Sequence, residues 1–83
     1  MGLGIADINM QIEAAILTAI PDAKIVVAQP SGGHFTIEVE SPVFEGKSLL
    51  AKQRLVYSAI KELMAGDRAP VHAVDKLITK VPV

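Results

Sequence analysis

The chain contains no cysteine. A thiol nucleophile, a cysteine-ligated zinc site and a disulfide framework are therefore excluded. The chain reads as a protein of a reducing compartment, or as one indifferent to redox state. It also lacks a dominant charge: eight basic residues stand against nine acidic ones, for a formal net charge of −1. Bulk charge does not advertise nucleic acid, so any basic surface has to be local. No run approaches the roughly 18 consecutive apolar residues of a membrane span. The opening stretch MGLGIADIN has no basic start and no long apolar run, and Ala6 stands where a myristoylation signal needs Ser or Thr. No secretory or lipid signal is expected, and the cytoplasm is the expected location. P-loop, dinucleotide fingerprint and a convincing nucleophile–base pair are missing too, so enzyme activity is not expected.

What remains is a small globular domain. The 83 residues are 51% hydrophobic and 20% charged, a composition that folds, and they fit one domain spanning 1–83. A chain of this length buries only about 60% of the surface its unfolded form exposes, so the core is modest.

Residues 7–20 place Ile8, Ile12, Ala15, Ile16 and Ala19 at helical spacing, with Asp7 as N-cap and Pro21 as terminator. The β-branched run KIVVA, residues 24–28, predicts a strand, and 30–33 a turn. HFTIEVE then alternates strictly: Phe35, Ile37 and Val39 face one way, His34, Thr36, Glu38 and Glu40 the other. Pro42 ends it. Residues 48–64 return to helical spacing, with Leu49, Val56, Ile60 and Leu63 on one face; one helix or two bent near 52–54 both satisfy the pattern. VHAVDKLI, residues 71–78, predicts a third strand. The order is α-β-β-α-(α)-β, an α+β domain with a three-stranded mixed sheet. The first two strands pair antiparallel across the short turn; the helical crossover is long enough for the second and third to pair parallel.

That topology gives the two histidines a meeting place. His34 begins the second strand and His72 stands near the start of the third, so both belong to one end of the sheet, on strands about 4.8 Å apart. Two imidazoles there can converge on one metal atom. The alternative is a pair of ordinary edge residues, since neither sits in a tight metal motif. A two-histidine site is also incomplete, because zinc usually takes four ligands. The carboxylates nearest in sequence are Glu38 and Asp75, and the pattern does not say whether they point to that end. Missing ligands would come from another molecule.

The stretch SPVFEGKSLLAKQRLVYSAI resembles the signature of the BolA family in its Phe44, Gly46, Lys47, Arg54, Val56 and Tyr57. The HF pair at His34 and VHA at His72 match at the right separations, so the resemblance covers about residues 6–79. It implies a class II KH-like fold with a helix-turn-helix-like arrangement around the Phe44 turn. It also implies two roles. One is partnership with a monothiol glutaredoxin, sharing or transferring a [2Fe–2S] cluster for which the glutaredoxin cysteine and glutathione supply thiolates. The family's histidine ligand on the third strand matches His72; the second ligand, cysteine or histidine, comes from between the first two strands, where His34 is the candidate. The isolated chain is not expected to hold the cluster. Mixed histidine and thiolate ligation is chemically sensible, since nitrogen ligands raise a cluster's potential and can be protonated or released.

The other role is transcriptional regulation by binding duplex DNA. On one continuous helix Lys47, Arg54 and Lys61 recur every seven residues, and with Lys52 they are the candidate phosphate contacts. Binding through so few charges would be weak and salt-sensitive; a solvated helix face is the alternative. Phe44 is expected in the core, Gly46 in a turn, and Tyr57 at the border of the apolar face. The SGG turn lacks the spacing of a phosphate-clamping Gly-x-x-Gly loop, so KH-type RNA binding is not expected. Family members commonly add a final helix with Pro and Trp, where this sequence reads TKVPV, and many carry His at the position of Gln53. A homodimer stays open.

Overall fold

The computed structural model describes residues 8–67 and 69–83. The proposed N-cap Asp7 lies outside them. The order is helix α1 (Ile8–Ala19), strands β1 (Lys24–Ser31) and β2 (His34–Glu40), a 3-10 turn (Pro42–Phe44), helix α2 (Leu49–Met64) and strand β3 (Ala73–Lys80). The strands form one mixed sheet in the order β1-β2-β3, with β1 antiparallel and β3 parallel to the central β2. This is the α+β architecture expected from the element pattern. The helical region that could have been one helix or two is the single continuous helix α2, preceded by the three-residue 3-10 turn. The helix-turn-helix-like arrangement around Phe44 is therefore this turn followed by one helix.

Alternation on β2 builds the core. Phe35, Ile37 and Val39 are buried on one face, and Ile12, Ile16 and Ile20 of the first helical segment join Val56 and Ile60 of α2 over them. The apolar stripe of α1 ends in Ile20 rather than Ala19, which is exposed. The Ile20 amide still reaches the Ile16 carbonyl at 2.7 Å, and Pro21 then stops the ladder. β1 runs three residues further than the KIVVA run, through Pro30. This is allowed because β1 is an edge strand and bulges there: Gln29 and Pro30 together oppose Phe35.

After β2 the chain turns on Ser41, a fully buried hydroxyl. It donates to Asp22 Oδ1 at 2.9 Å and accepts from the Val43 amide at 3.1 Å, capping the 3-10 turn. Phe44 is then delivered to the core, and Gly46 (φ +78°) reverses the chain. Ser48 caps α2 through the Ala51 amide at 3.1 Å. Leu49 departs from the expected face: it is 65% exposed, while Phe44, from the turn before the helix, is buried. The third strand starts two residues later than its apolar run suggests. Val71 is spent closing α2, its amide donating to the Leu63 carbonyl at 3.1 Å, and its side chain is buried outside the sheet.

Candidate metal-ligating end of the sheet

The parallel pairing brings both histidines to the same end of the sheet. His34 opens β2 and stands opposite Ala73, the residue after His72. The Gly33 carbonyl accepts from two successive amides, His72 at 2.8 Å and Ala73 at 3.0 Å, and so ties the hairpin turn to the entrance of β3. Gly33 does this in a left-handed conformation (φ +76°). It also lies under the His72 ring: a Cβ at position 33 would stand 2.6 Å from His72 Nδ1 and 2.8 Å from its Cγ. Only glycine satisfies both conditions. His72 is exposed, and among the described residues its ring makes no hydrogen bond.

His34 is held differently. Its backbone belongs to the β2 ladder and its side chain is 45% exposed. The ring Nδ1 lies 3.1 Å from Asp75 Oδ1. The β2–β3 register breaks beside Asp75: Phe35 pairs with Val74 and Thr36 with Lys76, leaving Asp75 as the extra residue of a bulge. Of the two carboxylates nearest in sequence, Asp75 therefore belongs to this end. Glu38 points elsewhere and binds Lys80 at 2.7 Å. That hydrogen bond, with the attraction of the same carboxylate, holds the Lys80 ammonium above its ordinary value. Sequence reasoning could not aim Asp75, since nothing in VHAVDKLI fixes its register against β2. Nor did the serine–glycine turn reveal that Gly33 makes room for an imidazole.

Among the described residues no group of three or more His, Cys, Asp or Glu side chains is placed to hold a metal ion. The donor set is two accessible imidazoles without a thiolate. It suits a metal centre only as a partial shell, the remaining ligands coming from outside the chain. The basic residues are less collected. Lys47 precedes α2 instead of beginning it, which corrects the view of Lys47, Arg54 and Lys61 as one helical stripe. Lys47 and Arg54 line a shallow groove of about 390 Å³ with Ser48, Leu50 and Ser58. Lys61 is exposed two turns on, and Lys52 is half-buried and does not line the groove.

Residues 14–81 match the family model described as BolA-like protein. The chain is 39% identical over 57 residues to Protein BOLA2 of Arabidopsis thaliana, covering 65% of this chain and 61% of that protein. It is 39% identical over 75 residues to BolA-like protein 1 of Bos taurus, covering 75% of this chain and 53% of that protein. It thus spans between half and two thirds of the length of these curated relatives. Among solved structures, a bolA protein homologue from Coxiella burnetii superposes with a TM-score of 0.71 at 34% identity, covering 88% of each chain. The fold and the sequence together define a small α+β domain of the BolA type. The chain belongs to the BolA-like family. No helix among its described residues is long and apolar enough to cross a membrane.

Proposed function

We propose that this BolA-like domain is a non-enzymatic adaptor that partners a monothiol glutaredoxin and co-ligates or transfers a [2Fe–2S] cluster, in cytoplasmic iron–sulfur trafficking or iron homeostasis. His72 is the principal ligand and His34 the second. One observation carries the proposal: two accessible imidazoles share one end of the sheet, and among the described residues no group of three or more His, Cys, Asp or Glu side chains is placed to complete a metal site there. Such a half-shell has a use only when another molecule brings the rest. Thiolates from a glutaredoxin cysteine and glutathione are soft ligands suited to iron–sulfur clusters, and they supply the negative charge that neutral imidazoles lack. His72 ranks first because the Gly33 carbonyl fixes its backbone while its ring is unengaged among the described residues.

The test is co-purification with a monothiol glutaredoxin and glutathione after anaerobic reconstitution. A coloured heterocomplex is expected with the wild-type chain, and little bound iron with the chain alone. A His72→Ala variant whose heterocomplex keeps the wild-type visible spectrum and stability would remove the main support for the proposal.

A second function, binding duplex DNA, is favoured by one observation: Lys47 and Arg54 line the same groove and neither forms an ion pair among the described residues. Backbone phosphates would be the contact, with weak, salt-dependent affinity.

A further inference from the structure

We propose that Asp75 is a positioning residue for His34: its carboxylate fixes the imidazole as the Nδ1–H tautomer and turns Nε2 outward as the coordinating nitrogen. The inference rests on the adaptor function proposed above and adds to it a residue and an atom.

The chemistry follows from the contact. A carboxylate at neutral pH only accepts hydrogen bonds, whereas a neutral imidazole donates from one nitrogen and accepts at the other. At 3.1 Å from Asp75 Oδ1, Nδ1 must carry the proton. The lone pair then resides on Nε2, and the ring stands partly in solvent, 45% exposed. A free imidazole side chain prefers the opposite tautomer, with the proton on Nε2, which would leave Nδ1 as the donor, close to the backbone. Asp75 reverses that preference. Ligating histidines commonly give their second N–H to a carboxylate, which sets ring orientation and strengthens the ligand.

The backbone supports the same assignment. Asp75 is the unpaired residue of a bulge in a parallel pair, where bulges are rare, and bulges re-aim side chains. His34 pairs with Ala73, so Asp75, two residues along β3, lies on the face that alternation gives His34, and the bulge leaves it without a β2 partner of its own. Stability gives little reason for the arrangement, because even a charged pair at so exposed a position contributes little to folding.

The first measurement is a long-range ¹H–¹⁵N spectrum of the histidine rings in the chain alone, at roughly two pH units above the ordinary imidazole value near 6.5. The expected result is a protonated Nδ1 and a bare Nε2 for His34, reverting toward protonated Nε2 in Asp75→Ala. A wild-type His34 with protonated Nε2 overturns the proposal. Asp75 is about half exposed, so its replacement leaves the fold intact. The second measurement uses the cluster-loaded heterocomplex with a monothiol glutaredoxin and glutathione. Asp75→Ala should alter its visible circular dichroism and weaken retention of the cluster about 10-fold or more, Asp75→Asn less so, and neither should matter in a His34→Ala background. Equal effects with and without His34, or no effect of Asp75→Ala where His34→Ala has one, overturn it. Failure of the wild-type chain to form any heterocomplex is a different result: it defeats the adaptor function, and the ligand role of His34 with it.

Discussion

Gly33→Ala tests how the principal histidine is held. Two separate costs meet at this position. The backbone is left-handed at φ +76°, which an L-residue occupies at about 1–2 kcal/mol. The new methyl would also stand 2.6 Å from His72 Nδ1, and the exposed ring must move to admit it. Two other glycines separate these costs. Gly46 shares the left-handed conformation (φ +78°), yet a methyl there meets nothing within 4 Å. Gly32 has neither the positive φ nor a neighbour within 4 Å. Gly46→Ala should therefore lose about 1–2 kcal/mol from strain alone. Gly32→Ala should be neutral, or gain about 0.4–1 kcal/mol from a stiffer unfolded chain.

Gly33→Ala should lose at least as much stability as Gly46→Ala and, unlike it, shift the ring resonances of His72. Urea denaturation at constant m-value gives the stabilities; a side-chain proton–carbon spectrum gives the ring. In the heterocomplex, Gly33→Ala should perturb the visible spectrum in the same direction as His72→Ala, and Gly46→Ala should not. A Gly33→Ala protein as stable as Gly32→Ala, with unmoved His72 resonances, would refute the idea that this glycine makes the seat of the imidazole.

Other outcomes follow from the same structure. His72→Ala removes an exposed side chain, so stability should change by no more than about 0.5 kcal/mol while the heterocomplex spectrum collapses; His34→Ala should have the smaller spectral effect. Ser41→Ala leaves the Val43 amide and Asp22 without a partner and should cost about 1–3 kcal/mol in urea titration. Phe44→Ala empties a fully buried ring site and should cost about 3–5 kcal/mol, enough to leave a domain this small largely unfolded in a thermal scan. Arg54→Ala should weaken any duplex binding and flatten its salt dependence, measured by anisotropy titration; tight binding indifferent to salt would contradict phosphate contact.

Much of the fold is legible in the sequence because its strongest patterns are local. β2 alternates without exception, and the strand found is the strand expected, residue for residue. The helical spacing over 48–64 is found as α2, with Ser48 as its cap. The misplacements have tertiary causes. Leu49 has the spacing of Val56 and Ile60, but Phe44 is the buried side chain at the approach to the helix. Val71 is as β-branched as Val74, but its amide is taken by a helix carbonyl and the strand begins later. The site divides in the same way. That His34 and His72 share an end of the sheet follows from topology alone. Which carboxylate serves His34 depends on the β2–β3 register, and that register leaves no trace in composition or period.

The two imidazoles are constrained by opposite means, and that bears on how a small domain can offer ligands at all. His72 is fixed through its backbone, by the Gly33 carbonyl, and its ring makes no hydrogen bond among the described residues. His34 is fixed in the ladder and also through its ring, by Asp75. Neither device draws on the core, so the apolar residues that stabilise the domain and the polar ones that face a partner are substituted independently. Both devices do depend on the parallel pairing, because Gly33 and His34 come from one strand end and His72 and Asp75 from the other. A change that weakens β2–β3 pairing should thus disturb both histidines together, whereas Gly33→Ala and Asp75→Ala should each disturb one. If those two substitutions instead gave identical spectral changes in the heterocomplex, the histidines would be a single coupled unit, and the separate roles assigned to Gly33 and Asp75 would have to be given up.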